Sequence, residues 1–473
     1  MSKGYVYTLG DIIVEQYNFE KVLDLNIVKE VNKHSELFIS GIVSDEYDYS
    51  DKYVEIADKN SSITVSVRDE NGQIKHLFYG VIINISISCI NNMKVLEIEA
   101  LSNTYKMDIE RKSRSFQGDN VTYKSIIDSV NNSYSNLTMI FYISESDCIN
   151  ALVVQYNETD WQFLIRLASH FNLAIIPECT LDGIKYSIGR GEGSPLYSLD
   201  EFNYSITKGL QEYREKSAQG NYELYESDLL GYEFSSNIIL GLYSTVNFKD
   251  RYLYVYRCET SIVGGVISNR YILRNENGMK VKRINNENIV GTSLEGKIVD
   301  TKNDVVKIAL RIDGYSNTAE SNTVWIPYST VFSSPDGTGW YCMPEIGDAI
   351  RLYFPDNHEE NGYAISSVNL KSSNSQKRCD PSVKCIENKA GKGFIMSDGS
   401  VKINSGGNYI TLKDGEGIVI NSASAVNITG KSINLSGSEI TIKGDEAINL
   451  TQKEASITIK KDIVMSGEKI NTQ

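Results

Sequence analysis

The stretch Val426-Asn-Ile-Thr-Gly-Lys-Ser-Ile-Asn-Leu-Ser-Gly-Ser-Glu-Ile-Thr-Ile442 decides the fold of the C-terminal part of this chain. It carries an apolar, polar, apolar triplet three times, with mostly small and polar residues between the copies. Alternation inside a triplet is the two-residue period of a strand with one buried face, and Gly and Ser are typical of turns. Each triplet therefore predicts one very short β-strand.

The triplet recurs nine times from Val401 onward, about eight residues apart. A fixed repeat of very short strands is typical of a β-helix or a stacked solenoid, because no repeat buries its apolar face without the next. Two inward residues per strand make a thin core in one chain, so we expect three chains to meet on an axis. The predicted trimer core consists of Val401, Ile403, Ile410, Leu412, Ile418, Ile420, Val426, Ile428, Ile433, Leu435, Ile440, Ile442, Ile448, Leu450, Ile457, Ile459, Ile463 and Met465.

The composition of the tail agrees with a solvated rod. From Val401 onward there is no Pro, Cys, His or Trp, and eight Lys balance eight acidic residues. Burying one Val, Ile or Leu contributes roughly 1.5 to 3 kcal/mol, so we expect folding and trimerisation of the tail to be one event. The other interpretations are an adhesin stalk, a cell-wall-binding solenoid and an ordinary antiparallel sheet. Such a sheet is expected to have longer strands and more aromatic packing than a tail with only Tyr409.

The bulk composition describes a multidomain globular protein. A length of 473 residues exceeds one ordinary core, and 41% hydrophobic with 23% charged residues is a globular composition. No run approaches the roughly 18 apolar residues of a membrane helix, and no signal-like apolar stretch precedes Asp11. We therefore expect synthesis in the cytoplasm, with export by other machinery. A net charge of −14 argues against nucleic acid as a partner.

Cysteine and histidine usage predicts no metal, cofactor or catalytic site. Seven cysteines are an odd count, and the one close pair, Cys379 and Cys385, lies in a segment without histidine. The four histidines have no metal-binding spacing, and we interpret each as a lone surface residue. No G-x-S-x-G motif occurs, so the sequence predicts no enzyme. A wall-degrading activity would need carboxylate pairs such as Asp108 with Glu110, or Glu359 with Glu360.

Residues 291–370 hold five strand-like runs, which predicts a small barrel of the OB type. Acidic residues interrupt its many aromatic residues, and they would repel phosphate, so we interpret those aromatics as core or protein-contact residues. Residues 371–392 predict a polar linker that contains Pro381. The aromatic residues in question are Trp325, Tyr328, Phe332, Trp340, Tyr341, Tyr353 and Phe354.

Residues 1–290 are rich in strands and include a mixed α+β stretch near 105–215. Thr159 followed three residues later by Gln162 forms the pattern of a capping box, which predicts the start of a helix. Apolar residues then recur at helical spacing and predict one buried face. They are Trp161, Phe163, Leu164, Leu167, Ala168 and Phe171.

Two of these segments resemble a known family. Gly339-Trp340, Pro344, Gly347-Asp348 and Ser367-Val368 lie where the OB segment of VgrG spikes and phage baseplate spikes has its motif. The run Gln155 to Phe171 resembles the helix of tail-hub domains. The resemblance implies a mainly β chain with a hub of two barrel-like β domains and a small α+β part (1–290), an OB-fold barrel (291–370), a linker (371–392) and an intertwined trimeric β-helix (393–473).

The same resemblance implies a structural, non-enzymatic role as the central spike of a contractile injection machine, such as a phage tail, a tailocin or a type VI-like apparatus. The implied partners are two further copies of the chain, the inner tube protein, baseplate wedge proteins and, transiently, the target membrane. Some spikes chelate an axial metal at the tip through histidines, but here no histidine follows His358. We therefore expect a blunt aliphatic tip or a separate tip-capping protein.

The resemblance also implies that the assembled particle acts outside the cell or in the target envelope. The competing functions are a trimeric adhesin or receptor-binding fibre and a wall-degrading spike enzyme. An adhesin should carry a binding head after the repeat, and no such segment follows Met465 in this sequence.

Overall fold

The computed structural model describes residues 5–43, 51–91, 93–144, 146–149, 151–190, 196–199, 203–218, 223–316, 323–369, 374 and 376–469. The chain divides into two compact units, Met1–Leu370 and Lys371–Gln473. Its fold is mainly β, as the sequence predicts. In the part of the chain that the structure describes, no helix has the length and apolarity needed to cross a bilayer.

The first strand-rich block of the larger unit is an antiparallel sheet in the order β1-β4-β5-β6-β3-β2. Alternating residues of its strands are fully buried, including Leu25, Ile39 and Ile98, and they form one hydrophobic core. The short helix α1 (Lys52–Glu55) lies between the third and fourth strands. The strands are β1 (Ile12–Val14), β2 (Phe19–Glu30), β3 (Glu36–Val43), β4 (Ser62–Arg68), β5 (Ile74–Ile90) and β6 (Met93–Ser102).

The mixed α+β stretch follows. A strand pair β7–β9 and a three-stranded sheet β10-β11-β8 surround two helices, whose inner faces form a second core. The predicted helix is α3, and its capping box is confirmed, since Thr159 Oγ1 accepts from the Gln162 amide at 3.1 Å. The elements are β7 (Arg111–Phe116), α2 (Tyr123–Asn131), β8 (Leu137–Phe141), β9 (Val153–Thr159), α3 (Asp160–Ser169), β10 (Ile175–Glu178), β11 (Ile184–Ile188), β12 (Leu196–Leu199), β13 (Tyr204–Lys208) and α4 (Leu210–Ser217).

The second strand-rich block has its own core, in which Phe234, Phe248 and Tyr271 are buried. Its strand β16 pairs with β2 of the first block, so hydrogen bonds join the two blocks into one twelve-stranded sheet of the described residues. The sheet also contains β12 and β13. The further elements are β14 (Leu230–Ser236), β15 (Thr245–Phe248), β16 (Arg251–Val263), β17 (Val266–Arg274) and α5 (Glu276–Met279).

The five strands expected between residues 291 and 370 are all present, in the order β20-β19-β18-β21-β22. A parallel bridge between Tyr328 and Ala364 joins the two ends of this order and closes a small barrel. Buried Ile298, Ile308 and Phe354 fill it. The strands are β18 (Ser293–Lys302), β19 (Val305–Leu310), β20 (Trp325–Pro327), β21 (Ala349–Tyr353) and β22 (Tyr363–Ile365). The 3-10 turns of the unit are Leu9–Asp11, Asn103–Met107, Glu226–Leu229, Glu287–Ile289, Arg311–Asp313 and Glu359–Asn361.

The smaller unit contains two antiparallel meanders, one of five strands and one of three. Strand β23 lies inside the segment that the sequence predicts as a linker, and residues 422–447, between the meanders, contain no strand. The strands are β23 (Lys384–Glu387), β24 (Gly393–Ser397), β25 (Ser400–Ser405), β26 (Asn408–Lys413), β27 (Gly417–Asn421), β28 (Ile448–Gln452), β29 (Ala455–Ile459) and β30 (Ile463–Ser466).

Candidate assembly surface

The strand register of the first meander places the predicted core residues side by side. Val401 lies opposite Leu412, which lies opposite Ile418 on the next strand. The second row runs in the same way through Ile403, Ile410 and Ile420. Because directly opposite residues share a face of a sheet, these six side chains form one apolar surface.

Two further strands extend this surface beyond the residues that the sequence analysis selected. Phe394 lies opposite Ile403, Met396 lies opposite Val401, and Ile386 lies opposite Phe394. The predicted repeat begins at Val401 and therefore does not include them. The signal was present, since Phe394 and Met396 are separated by one residue, as in the later triplets.

The second meander repeats the arrangement with the last three triplets. Ile448, Ile459 and Ile463 form one row, and Leu450, Ile457 and Met465 form the other. The structure thus brings twelve of the eighteen predicted core residues into two aliphatic faces. The remaining six, in the triplets from Val426 to Ile442, lie outside any strand.

A single chain leaves this aliphatic surface uncovered. Sixteen of the eighteen residues are exposed, while Val401 and Ile448 are half-buried. Exposure reaches 69% at Ile418, 68% at Ile428 and 70% at Leu435. Soluble monomers rarely expose contiguous apolar patches of this kind, and such patches mark sites of association. The aliphatic faces of the smaller unit are therefore the candidate assembly surface.

The opposite face of the first meander is mixed, because polar residues share it with Ile395 and Val419. Lys402 lies opposite Thr411, and Asn404 lies opposite Tyr409. The Lys402 ammonium lies 4.8 Å from the centre of the Tyr409 ring, so a cation–π contact covers part of this face. The sheet thus has one aliphatic face and one face of mixed polarity, and the aliphatic face is the one suited to burial.

A second exposed apolar feature lies on the barrel. Residues 328–341 form a hairpin, in which the Trp340 amide donates to the Phe332 carbonyl at 2.9 Å and Ser333 is bridged to Gly339. Phe332, Trp340 and Tyr341 are exposed, whereas Phe354 is buried in the core of the barrel. The core interpretation is therefore correct for Phe354, and protein contact stays a prediction for the exposed three.

Asp108, one of the carboxylates considered for wall degradation, is engaged in structural contacts. Asp108 Oδ2 lies 3.2 Å from His34 Nε2, and Asp108 Oδ1 accepts from the Thr159 hydroxyl at the start of α3. Burial raises the pKa of Asp108, but the bonds from His34 and Thr159 outweigh it and hold the pKa below its usual value. Its neighbour Glu110 is exposed.

Glu359 belongs to a buried ion cluster between α3 and the barrel. Arg166, which is fully buried, donates to Glu359 Oε1 at 3.0 Å and to both oxygens of Glu158 at 2.9 and 2.8 Å. The Val154 amide also donates to Glu359 Oε1, at 3.0 Å. Burial raises the pKa of Glu158, and Arg166 opposes that rise. The cluster holds the barrel against the α+β stretch.

Two histidines are not lone surface residues, which corrects the prediction from their spacing in the sequence. His34 is half-buried, lies 4.8 Å from the Trp161 ring and bonds Thr104 through Nδ1 at 2.8 Å. His170 closes α3 and bonds the Tyr123 hydroxyl at 2.9 Å. The prediction was wrong because both side chains pack beside aromatic rings. The spacing of histidines along the sequence does not indicate such contacts. Among the described residues, no group of three or more His, Cys, Asp or Glu is placed to hold a metal ion.

Comparison with known proteins bears on the fold. A family model described as the Alg8 N-terminal domain matches residues 5–181, which is less than half of the chain. No curated protein matches. The E. coli c3393 protein, described as a component of the type VI secretion system similar to the T4 bacteriophage tail proteins gp27 and gp5, superposes with a TM-score of 0.53 at 10% identity. That match covers 75% of this chain and 98% of the other.

Structures of a Francisella PdpA–VgrG complex superpose equally well. The lidded form gives a TM-score of 0.56 at 10% identity over 87% of this chain and 79% of the other. The half-lidded form gives 0.55 at 9% identity over 88% of each chain. The chain shares the fold of these VgrG-type structures. At such identities the likeness concerns the fold alone, and the VgrG-type fold covers most of the chain.

Proposed function

We propose that this chain is the structural hub and spike of a contractile injection machine, and that it works as a homotrimer. The observation that carries the proposal is the uncovered aliphatic surface of the smaller unit in a chain with a VgrG-type fold. Two further copies of the chain would supply matching aliphatic faces. Three sheets packed face to face around an axis would bury residues that one chain leaves in water.

In this proposal the parts of the chain have separate tasks. Residues 1–290 form the hub that sits on the inner tube, and residues 291–370 form a collar built on an OB-type barrel, an assignment supported by the strand order of the closed barrel. Residues 371–392 connect the collar to the needle, which occupies 393–473. The apolar hairpin of the barrel, with Phe332 and Trp340, offers a contact surface for a neighbouring copy or a baseplate wedge protein.

The work of membrane penetration comes from the contracting sheath in this mechanism. The spike has to transmit force without unfolding, which depends on resistance to unfolding and not on catalytic groups. The contacts of Asp108 and Glu359 support a non-enzymatic role, because each carboxylate already bonds a helix cap or a buried arginine. A separate protein caps the tip. The assembly forms in the cytoplasm and acts outside the cell or in the target envelope.

The experiment is immunogold electron microscopy of particles purified from cells that make the protein. We expect gold label at the baseplate end of sheathed particles, on the axis of the inner tube. Sheath length and genome-filled heads would then distinguish a phage tail from a tailocin or a type VI-like apparatus. Label on sheathless surface fibres would contradict the proposal and favour an adhesin.

The enzymatic alternative has its own test. Purified trimer incubated with isolated cell wall should release no soluble muropeptides, as measured by chromatography of the supernatant. Release that disappears in the Glu359→Gln and Asp108→Asn variants would overturn the non-enzymatic role.

A further inference from the structure

A groove of about 420 Å³ lies on the outer face of the three-stranded sheet β10-β11-β8. The inner face of this sheet packs into the second core through side chains such as Ile184 and Ile188. Side chains of the outer face line the groove, and residues 241–244, which precede β15, border it on one side. Concave sites of this size that combine apolar residues with a few polar groups are the usual form of a ligand site.

Exposed apolar side chains line part of the groove. Ile140 belongs to β8, and Leu181 lies in the turn between β10 and β11. Tyr142, which follows β8, is exposed as well and lies beside Gly189, since a Cβ atom placed on Gly189 would be 3.5 Å from the Tyr142 Cβ. This part of the groove is therefore suited to an apolar group of a ligand.

Arg190 carries the uncompensated charge of the groove. Its Nη2 donates to Thr245 Oγ1 at 2.7 Å, and its guanidinium carbon lies 4.6 Å from the centre of the Tyr254 ring. Among the described residues, no carboxylate forms an ion pair with Arg190, and its Nε has no hydrogen-bond partner. The other charged residues of the lining, Glu178 and Lys185, lie opposite each other on β10 and β11, so their charges offset. The groove is therefore suited to an anion.

Tyr243 forms one wall of the groove with an uncommon backbone conformation. Its φ of 60° lies in the left-handed region, which is rare for a bulky aromatic residue. Two hydrogen bonds hold this turn, because the Tyr243 amide donates to the Val255 carbonyl at 2.8 Å and the Ser244 amide to the Gly241 carbonyl at 3.3 Å. Burial raises the pKa of Tyr243, so its hydroxyl stays protonated and can donate to an anion. Backbone strain of this kind is concentrated at ligand sites.

Strand β8 forms one edge of the sheet beside the groove. Among the described residues it pairs only with β11, and the two strands run in parallel and end together, with Phe141 opposite Ile188. The backbone groups on the other side of β8 can pair with an added extended chain. Arg190 lies two residues beyond the end of β11, so a chain that runs parallel to β8 would end near Arg190.

We propose that this groove binds the C-terminal end of another protein chain whose last residue is apolar. The terminal carboxylate would accept from the Arg190 guanidinium and the Tyr243 hydroxyl, and the last side chain would contact Ile140 and Leu181. The backbone of the bound chain would pair with the free side of β8, which favours a chain end over a small free acid. All these residues belong to one copy, so the inference does not depend on the proposed trimer.

Fluorescence anisotropy with the full-length protein tests the inference. The probe is a fluorescein-labelled hexapeptide of glycine, serine, threonine and valine that ends in leucine with a free carboxyl group. We expect micromolar binding, and binding at least about ten-fold weaker for the same peptide with a C-terminal amide, because the amide removes the charge that Arg190 bonds. Equal binding of the two peptides, or no binding of the acid form at about 1 mM, would overturn the inference.

A competition experiment separates a chain end from a small free acid. Free 4-methylpentanoate carries the carboxylate and the branched apolar group of a terminal leucine but has no peptide backbone. It should displace the labelled acid peptide at least about ten-fold less effectively than the unlabelled peptide does, because it cannot pair with β8. Equal displacement would contradict the assignment to a chain end.

Variants test whether the peptide binds in this groove. Arg190→Met should weaken binding of the acid peptide at least about ten-fold, whereas Arg311→Met removes an exposed arginine outside the groove and should bind like the wild type. Leu181→Glu places a negative charge in an exposed turn, where the fold tolerates most substitutions, and should also weaken binding at least about ten-fold. Urea unfolding followed by tryptophan fluorescence checks that each variant is folded. Wild-type binding by a folded Arg190→Met or Leu181→Glu variant would overturn the inference.

Discussion

The buried charge of Asp160 in the larger unit is matched by hydrogen bonds from its neighbours. Asp160 is fully buried and accepts from Lys112 Nζ and the Tyr134 hydroxyl, both at 2.7 Å, and from Gln155 Nε2 at 3.0 Å. Burial raises the pKa of Asp160, but these bonds outweigh it and hold the pKa below its usual value. A buried charge is tolerated only when it is paired and hydrogen-bonded, so these contacts fix the geometry around α3.

Removing Arg166 should destabilise the larger unit strongly. Arg166→Met would leave Glu158 and Glu359 buried without their cation, which costs about 3 to 5 kcal/mol of unfolding free energy. All three tryptophans, Trp161, Trp325 and Trp340, lie in this unit, so tryptophan fluorescence during urea unfolding reports on it.

The matched control is Arg311→Met. Arg311 pairs with Glu295 at 2.8 Å, but its side chain is 67% exposed. We expect a much smaller change in the free energy of unfolding than for Arg166→Met, because exposed ion pairs contribute little. Equal losses of unfolding free energy in the two variants would contradict a stabilising role for the buried Arg166 cluster between α3 and the barrel.

His170 should make the larger unit less stable in acid. Burial, with the nearby Arg283 and Arg166, lowers the pKa of His170 to about 3. In the unfolded chain the His170 ring takes up a proton below about pH 6.5, whereas in the folded chain it stays neutral. The free energy of unfolding therefore has its full value above pH 6.5 and decreases as the pH falls toward 3. From pH 7 to 5 the loss should reach at most about 2 kcal/mol.

Urea unfolding at both pH values measures this loss. His170→Gln should lose less stability between pH 7 and 5 than the wild type, because its side chain takes up no proton. His76, whose side chain is exposed, is the control, and His76→Gln should keep the wild-type pH dependence. If His170→Gln also keeps the wild-type pH dependence of the unfolding free energy, another group causes the acid sensitivity.

At the scale of elements, local patterns in the sequence predicted most of the fold. The capping box at Thr159 and the period of the residues after it located α3, and alternating runs located all five barrel strands. These signals are local, so the sequence reports them directly. Strand β23 was missed because Lys384–Glu387 is short and exposed, and its apolar pairings, through Cys385 and Ile386, depend on β24.

The triplets were interpreted alike in the sequence but differ in the structure. Six of the nine form strands that pair within the chain, and the three from Val426 to Ile442 do not. The difference lies between the triplets, where left-handed glycines such as Gly406 allow a hairpin, whereas Gly430 does not have a positive φ. Periodicity locates the apolar residues, whereas the turns decide which strand pairs with which.

A charge inside the needle should weaken the proposed trimer. Ile428→Asp would place three carboxylates around the axis, and each buried unpaired charge costs several kcal/mol. We expect the trimer to dissociate at a much lower temperature or to be absent from native mass spectra.

Asn427→Asp adds the same charge one residue earlier, at an exposed polar position of the triplet. This control should keep the trimer and its thermal stability within about 0.5 kcal/mol per chain, as for most surface substitutions. If Ile428→Asp behaves like Asn427→Asp, the aliphatic residues do not face an axis.

At the scale of the whole molecule, the sequence predicted the mainly β class and the uncovered aliphatic residues but not their long-range connections. The pairing of β2 with β16 joins residues more than 200 positions apart, and no local pattern encodes it. The aliphatic faces were predictable because the alternation of apolar and polar residues along a strand indicates an apolar face. This holds even where no other part of the same chain packs against that face. These faces are covered only in an assembly, and the sequence of one chain does not identify the molecule that covers them.

If three copies of the chain cover these faces, the purified full-length protein should keep the mass of a trimer in dilute solution. Light scattering or sedimentation equilibrium should give about three times the chain mass of 53.0 kDa, and the value should persist on dilution to nanomolar concentration. A well-folded monomer of 53.0 kDa under the same conditions would contradict the account.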